Sequence, residues 1–236
     1  MIPLSALFTA NEATWPPARR FAVGGFTVRE GGGGGRRVSA ATCDGNWTED
    51  QLDAAEAAMA GLGQPLQVMI RPGDDRLEAS LAQRGYLVAD PTVIYAAPIA
   101  AFEPAPDPMT AFPHWPPLAI TRTLWAEAGI GPARLAVMDR APAPRAAVLG
   151  RSGDRPAGVA FVAIHDGTAM LHALAVPEPM RRAGVGRNLL RRAAVWAGEN
   201  GAFALGLAVT EANGPARALY ASLGMKSVGQ YHYRVK

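Results

Sequence analysis

The chain has 236 residues, a formal net charge of +3 at pH 7, and 49% hydrophobic against 18% charged residues. This composition is typical of a folded globular protein and excludes a disordered or fibrous chain. The arginines are scattered along the chain, so the charge does not indicate a nucleic-acid-binding surface. No run approaches the roughly 18 to 20 apolar residues that a membrane span needs, and no membrane partner is expected.

The only cysteine is Cys43, which excludes an internal disulfide and fits a reducing compartment. We expect it to be a small buried residue rather than a nucleophile, because nothing near it in the sequence supplies a base. The N-terminus lacks the basic start and apolar core of a secretory signal. A cytoplasmic location is therefore expected.

The first part of the chain predicts a small α/β domain over residues 1–101. An irregular segment up to about Arg19 precedes a strand, RFAVGGFTVREG, and a glycine tract at 31–35 is followed by RRVSAAT. Two apolar runs around glycines favour a hairpin with a flexible tip, and a phosphate-binding loop is the weaker alternative because no helix start follows. Next come a helix with Thr48 as its N-cap, the strand PLQVMI, the helix DDRLEASLAQRG and YLVADPTVIYAAPI, a strand pair or one bent strand.

A proline-rich stretch follows, FEPAPDPMTAFPHWPP, with six prolines before Leu118. Proline has no N–H to donate to a helix or a sheet, so this stretch predicts an extended, semi-rigid linker over residues 102–117. It is the best candidate for a domain boundary, and it leaves residues 118–236 as a second domain.

The second domain begins with one or two short helices in TRTLWAEAGIGPARLAVMDR, followed by the strands RAAVLG and AGVAFVAIHD. Asp166-Gly167 predicts a tight hairpin turn into the strand TAMLHALAV. A long helix over RRAGVGRNLLRRAAVWAGEN comes next, and then the strand AFALGLAV, the helix EANGPARALYASLG and the last strand, MKSVGQYHYRV.

The passage from the strand LHALAV into the long helix has the spacing R-x-x-G-x-G, formed by Arg181, Gly184 and Gly186. The first N–H groups of a helix have no internal partner, and the helix dipole adds positive charge there, so such a start binds anions. Glycine lets a phosphate approach the backbone without a Cβ in the way. The alternative is that the two glycines only allow close packing of strand and helix.

The two halves of the chain repeat the order strand, helix, glycine, strand. When Gly85 is set against Gly224, Leu81 falls on Tyr220 and Asp74 on Asn213. With the same offset, residues 181–186 fall on TCDGNW, which has no R-x-x-G-x-G. The repeat therefore predicts two domains of similar fold, with a phosphate-binding loop in the second only.

Residues 118–236 resemble the GNAT superfamily of acyl-CoA-dependent N-acyltransferases, through LHALAV, RRAGVG and EANGPARALYASLGM in the family's order. The whole chain resembles a tandem member with a degenerate N-terminal copy. The resemblance implies two GNAT-like α/β domains, each a mixed, mostly antiparallel twisted sheet flanked by helices. It also implies acetyl-CoA as co-substrate, with no metal.

The resemblance assigns the coenzyme site by position. The strand before the loop bulges and binds pantetheine through its backbone, and the loop amides bind the pyrophosphate. Asn213 is a pantetheine contact and Tyr220 the general acid, although they are also suited to a helix cap and to aromatic packing. The expected coenzyme-binding residues are Leu174, Ala175, Val176, Arg181, Arg182, Ala183, Gly184, Val185, Gly186, Arg187, Asn213, Ala216 and Tyr220.

The general base is the least determined part of the site. His172 stands two residues before Leu174 on the strand and titrates in a useful range, although a lone strand histidine is more often structural. Glu178 is the second candidate. The expected acceptor is a primary amine of a small molecule or peptide, bound by a monomer or homodimer. A non-catalytic acyl-CoA-binding regulator and a nucleotide-phosphate binder remain alternatives, but the lysine of a P-loop is missing after Gly186.

Overall fold

The computed structural model describes residues 2–236. The helices are α1 (Leu4–Ala13), α2 (Arg36–Ser39), α3 (Glu49–Gly61), α4 (Asp75–Gln83), α5 (Ala119–Glu127), α6 (Pro132–Arg140), α7 (Val185–Glu199) and α8 (Gly214–Ser222). The strands are β1 (Arg19–Val23), β2 (Phe26–Glu30), β3 (Thr42–Cys43), β4 (Gln67–Ile70), β5 (Leu87–Pro98), β6 (Ala111–His114), β7 (Arg145–Ser152), β8 (Arg155–His165), β9 (Thr168–Ala175), β10 (Ala204–Thr210) and β11 (Lys226–Val235). The predicted mixed α/β fold, with mostly antiparallel sheets flanked by helices, is confirmed.

Two compact units divide the chain. The larger unit contains the residues up to Trp15 together with Ile94–Val209 and Asn213–Val228, and the smaller unit contains Pro16–Val93, Thr210–Ala212 and Gly229–Lys236. These limits differ from the domain limits expected from the sequence. Within residues 2–236, no helix is long and apolar enough to cross a membrane.

The sheet of the larger unit has the strand order β5-β10-β9-β8-β7-β6. The pairs from β6 to β9 are antiparallel, whereas β9 and β10 are parallel. Helix α7 lies against β7 and β8 at two glycines, because a Cβ on Gly150 or Gly158 would meet the side chains of Val185 and Leu189 at 3.0 to 3.2 Å. This close approach fixes the start of α7 beside the end of β9.

The smaller unit contains the antiparallel sheet β1-β2-β3 and an antiparallel pairing of β11 with β4. Its core lies between these strands and two helices, with Leu52 and Met59 of α3 and Leu77 and Leu81 of α4 fully buried. Cys43 is buried in the same core, as expected.

The N-terminal segment differs from the sequence prediction because it is helical. The buried positions of α1 and its end are Leu7, Ala10, Asn11 and Thr14, which follow a helical spacing. Two of these four residues are polar, so the apolar pattern that would have indicated a helix is incomplete. The helix belongs to the larger unit, where it contacts β8 and β9.

The glycine tract was wrongly expected at a hairpin tip. The hairpin turn lies at Gly24 and Gly25, between β1 and β2, and Gly24 has a φ of +58°. Residues 31–35 instead connect β2 to the single turn of α2, so RRVSAAT forms a helical turn and the two-residue strand β3. By contrast, the Asp166-Gly167 turn between β8 and β9 has positive φ at both residues, as the prediction requires.

The proline-rich stretch is part of the larger unit rather than a boundary between units. Within it, Phe102 and Ala111 are about 1% exposed, and β6 pairs with β7. Because β6 is the last strand in the sheet order, Pro113 occupies an edge strand, where a missing N–H is tolerated.

The internal repeat has a close structural counterpart. With Gly85 set against Gly224, α4 falls residue for residue on α8, and β5 and β11 begin at equivalent residues. Both glycines have positive φ, near 80°, directly after the helix. The elements around the two glycines therefore have the same local layout.

Candidate functional site

A cleft of about 1190 Å³ lies within the larger unit. Its walls come from the end of β9 and the loop after it, from the starts of α7 and α8, and from the segment joining α5 to α6. The predicted coenzyme-binding residues that line it are Leu174, Ala175, Val176, Arg181, Arg182, Gly184, Val185, Gly186, Arg187, Asn213 and Ala216. The structure therefore brings most of the predicted set together in one place.

Strand β9 is bulged where it meets the cleft. Phe161 pairs with His172 and Val159 with Ala175, so two steps along β8 oppose three along β9. The extra residue lies at Ala173–Leu174, and Ala173 has a φ of +51°. On the other side, the last parallel pair between β9 and β10 is Leu171 with Leu207, although both strands continue. The bulge and the separation from β10 open the sheet at Leu174–Val176, as the resemblance implies.

The start of α7 offers unpaired backbone donors to this opening. Its N-cap is Gly184, in the left-handed region with a φ of +78°, and no side chain caps the helix. The first helical hydrogen bond runs from the Asn188 N–H to the Gly184 carbonyl, at 3.0 Å. The N–H groups of residues 185–187 thus have no acceptor inside the helix, and they point toward its N-terminal end.

The two loop glycines have different surroundings. A Cβ on Gly184 would meet nothing within 4 Å, so this residue is needed for its backbone conformation. A Cβ on Gly186 would lie 3.1 Å from the Leu219 side chain of α8. Packing is therefore part of the reason for Gly186, while Gly184 keeps the helix start open.

The loop and the first turn of α7 carry three exposed arginines that line the cleft, Arg181, Arg182 and Arg187. Arg181 donates from Nε to the Val176 carbonyl, at 3.1 Å, and so ties the loop to the end of β9. Arg187 reaches Ser222 Oγ from Nη2, at 3.5 Å. Two exposed carboxylates, Glu127 and Glu178, face the same cleft. One end of the cleft thus combines helix-start N–H groups with guanidinium groups, which suits a polyanionic ligand.

Helix α8 begins beside the cleft with a side-chain cap. The Asn213 Oδ1 accepts a hydrogen bond from the Ala216 N–H, at 3.2 Å, and both residues line the cleft. The cap uses the carbonyl oxygen of the amide, while its NH₂ group can donate to a second partner. The cap expected as an alternative is present, and it is compatible with a ligand contact.

Tyr220, predicted as a coenzyme contact and as the general acid, is not among the residues that line the cleft. Its side chain is 6% exposed, and its ring centroid is 5.8 Å from that of Tyr95. Burial raises the pKa of Tyr220 to about 12, because the phenolate would lose its hydration. The phenol therefore keeps its proton at neutral pH. Ala216 and Leu219, on the same helix, do line the cleft.

His172 is not among the residues that line the cleft. It is 4% exposed and stacks on Trp15, with ring centroids 5.0 Å apart. Its Nε2 lies 2.8 Å from Thr14 Oγ1, and that hydroxyl donates to the Ala10 carbonyl at 2.6 Å. Because the Thr14 proton is used in this way, Nε2 must carry its own proton and donate to Thr14. Ala183 is exposed in the loop but is also absent from the lining.

Trp125 was not predicted as part of the site. This residue of α5 is fully buried, and its indole N–H donates to the Ala173 carbonyl at the bulge, at 2.9 Å. Its neighbours Leu124 and Glu127 face the cleft. A tryptophan in an amphipathic helix gives no sequence signal for such a contact. Within residues 2–236, no group of three or more His, Cys, Asp or Glu side chains is arranged to hold a metal ion.

Residues 109–225 match the family model of the acetyltransferase (GNAT) family. This match includes β9, the α7 start and α8, which form the cleft. Residues 109–225 form a domain of the GNAT superfamily. The matched range begins within the proline-rich stretch, shortly before β6, and ends directly after α8 and its closing glycine.

Known proteins agree with this GNAT assignment. An uncharacterized N-acetyltransferase of Bacillus subtilis, YobR, is 35% identical over 75 residues, covering 32% of this chain and 30% of that protein. The matched segment is therefore under a third of that relative's length. A GCN5-related N-acetyltransferase from Kribbella flavida has a TM-score of 0.76 at 18% identity, covering 98% of this chain and 95% of its own. A tandem GNAT protein from the clavulanic acid biosynthesis pathway has a TM-score of 0.62 at 14% identity, covering 94% and 84%. At these identities the two structures show a shared fold.

Proposed function

We propose that this protein is an N-acyltransferase that moves an acetyl group directly from acetyl-CoA to a primary amine of a small molecule or peptide. The observation that carries the proposal is the open start of α7 beside the bulged end of β9. Backbone donors, guanidinium groups and an unpaired strand edge meet there in one cleft. Family membership supports the same reaction class.

Coenzyme binding uses the two open backbone surfaces of the cleft. The N–H groups at residues 182–187 hold the pyrophosphate, with Arg181, Arg182 and Arg187 adding positive charge. The backbone of Leu174–Val176 binds pantetheine as an added strand would. The Asn213 amide contributes from the start of α8.

Transfer proceeds without a covalent protein intermediate. The base first takes a proton from the acceptor's ammonium group. The amine nitrogen then attacks the thioester carbonyl, a C–N bond forms, the C–S bond breaks, and the leaving thiolate takes a proton from the Tyr220 phenol. The surplus proton of the new amide nitrogen returns to the Tyr220 phenolate. The buried phenol keeps that proton at working pH, as a general acid must. The only cysteine, Cys43, lies in the core of the smaller unit, so the larger unit offers no thiol for a relay.

Glu178 is the better placed of the two base candidates, because it is exposed on the cleft wall while His172 is buried against Thr14 and Trp15. The rate should fall at low pH as the base is protonated. Comparing Glu178→Gln with His172→Gln assigns the role. The variant in which kcat/KM no longer falls at low pH identifies the base, and unchanged profiles in both would exclude both residues.

The decisive experiment follows release of the free thiol of CoA from acetyl-CoA across an amine library, with products identified by mass spectrometry. We expect at least one amine to be acetylated and ATP not to compete for the cleft. Tight binding of acetyl-CoA without turnover on any amine would support a regulatory acyl-CoA-binding protein. Binding of ATP alone would refute the proposal.

We propose that residues 1–101 are a GNAT-like copy that has lost its coenzyme site. It rests on the matching layout around Gly85 and Gly224 and on the sequence TCDGNW at the position of the loop. The predicted limits of the two copies, 1–101 and 118–236, remain part of this proposal. Each compact unit contains segments from both the N-terminal and the C-terminal half of the chain. Removal of residues 1–101 would therefore also remove α1 from the larger unit.

A further inference from the structure

The bulge of β9 places an alanine in a conformation that it does not prefer. Ala173 has a φ of +51°, which glycine adopts freely but residues with a Cβ adopt at a cost. The extra residue of a bulge also falls out of the sheet hydrogen-bonding pattern. A strand of this kind keeps its shape only where surrounding groups hold it.

Two side chains hold β9 at consecutive residues. The buried indole of Trp125, on α5, donates to the Ala173 carbonyl at 2.9 Å. One residue earlier, the His172 ring donates to Thr14 Oγ1 at 2.8 Å, next to the C-terminal end of α1. The Trp15 and Phe161 rings, 6.1 Å apart, both lie beside the His172 ring.

These contacts lie immediately before the part of β9 that lines the cleft. His172 is the last residue paired in normal register with β8, Ala173 is strained, and Leu174 is the first to face the cleft. If the Ala173 carbonyl lost its partner, a part-buried acceptor would be left unsatisfied and the strand could return to regular pairing with β8. The backbone of Leu174–Val176 would then be turned relative to the α7 start.

We infer that Trp125, with Thr14 acting through His172, is a positioning residue that fixes the β9 bulge in the shape that binds the coenzyme. The inference rests on the proposed function, because it concerns the same cleft. By this inference α1 helps to support the coenzyme site through Thr14, and His172 has a role that requires no proton transfer.

The test compares Trp125→Phe, Ala173→Gly and the double variant with the wild-type protein. Phenylalanine keeps an aromatic ring but has no N–H, so the KM for acetyl-CoA and the Kd for CoA should rise about tenfold, while kcat changes less than threefold. Ala173→Gly should stay within about threefold of wild type. In the double variant, glycine accepts the left-handed conformation without help, so the Kd should return to within about threefold of wild type.

A matched control separates this effect from general loss of packing. Trp47→Phe changes a buried tryptophan in the core of the smaller unit and should leave the Kd for CoA unchanged. Should Trp125→Phe fail to fold, Thr14→Val, which keeps the shape and removes the hydroxyl, should still raise the Kd about threefold. Wild-type affinity in the soluble variants, or no recovery in the double variant, would overturn the inference. Failure of the wild-type protein to bind CoA would instead refute the proposed function.

Discussion

The starts of α7 and α3 show how one element can be open to a ligand in one unit and closed in the other. With Gly85 set against Gly224, Gly184 falls on Gly45 and Gly186 on Trp47. Helix α7 begins right after Gly184 with no side-chain cap. Helix α3 begins three residues later on this alignment, at Glu49, behind a complete capping box.

The capping box satisfies one of the first N–H donors of α3 and the N–H of its N-cap residue. Thr48 Oγ1 accepts from the Gln51 N–H at 3.3 Å, and Gln51 Oε1 accepts from the Thr48 N–H at 3.3 Å. Glu49 and Asp50 place negative charge in the first turn, where it repels an anion. Trp47 fills the place of the second loop glycine, and its ring packs in the core with Phe26 at 5.9 Å.

The next helix in each half of the chain, α8 and α4, differs in the same way, because the residues suited to the coenzyme site are found only in α8. Asn213 caps α8 beside the cleft, while Asp74, at the equivalent place, accepts from the Arg71 N–H before α4. Tyr220 falls on Leu81, which is fully buried and has no proton to donate. Packing alone maintains the layout of a unit, whereas coenzyme binding also requires an open helix start, and at this position the smaller unit has a side-chain cap and an acidic first turn instead.

The largest expected effect is on the general acid. Tyr220→Phe should lower kcat about 100-fold, the lower range for a general acid, while the Kd for CoA changes less than threefold. Since the pKa of Tyr220 is about 12, wild-type kcat should show no decline from this residue between pH 7 and 10. Tyr86→Phe, a buried tyrosine of the smaller unit, is the control and should leave kcat unchanged. A Tyr220→Phe enzyme with full kcat would remove the phenol from the reaction.

A second prediction concerns the open start of α7. Gly184→Asp places a carboxylate at the start of α7, as Glu49 and Asp50 place carboxylates in the first turn of α3. Repulsion of the pyrophosphate should raise the Kd for CoA about 100-fold, or about 2.7 kcal/mol. The equivalent change in the smaller unit, Gly45→Asp, is the control, because a Cβ there also meets nothing within 4 Å. Calorimetry measures both. Equal effects, or no effect, would mean that the two helix starts do not differ as described.

The smallest effect concerns the caps. Thr48→Ala removes the capping box of α3, and Asn213→Ala removes the cap of α8, so each should lower the free energy of unfolding by about 1 kcal/mol. Only Asn213→Ala should also weaken CoA binding, by several-fold. Urea unfolding and calorimetry separate the two quantities. Weaker CoA binding in Thr48→Ala would contradict the assignment of the coenzyme to the larger unit.

Local signals predicted the elements of the larger unit well because they act within a few residues. The R-x-x-G-x-G spacing indicated the α7 start, Asp166-Gly167 indicated its turn, and Gly224 indicated the end of α8. Helix α1 was missed because Asn11 and Thr14 are buried polar residues that interrupt its apolar pattern.

Contacts between distant residues could not be predicted in this way. Trp125 meets Ala173 and Thr14 meets His172 only because the sheet brings them together. The sequence spacing of His172 and Leu174 suggested that both face the cleft. At the bulge, β9 has one residue more than the facing part of β8. The alternation of side chains between the two faces, on which that prediction depended, is broken there.

The number of coenzyme sites tests the central claim most directly. Calorimetric titration of the full chain with CoA should give one equivalent bound per chain, and Gly184→Asp should weaken that binding about 100-fold while Gly45→Asp leaves it intact. The account predicts this result because α7 has an open start beside the bulged end of β9, whereas α3 begins behind a capping box. Two equivalents per chain, or unchanged affinity in Gly184→Asp, would contradict it.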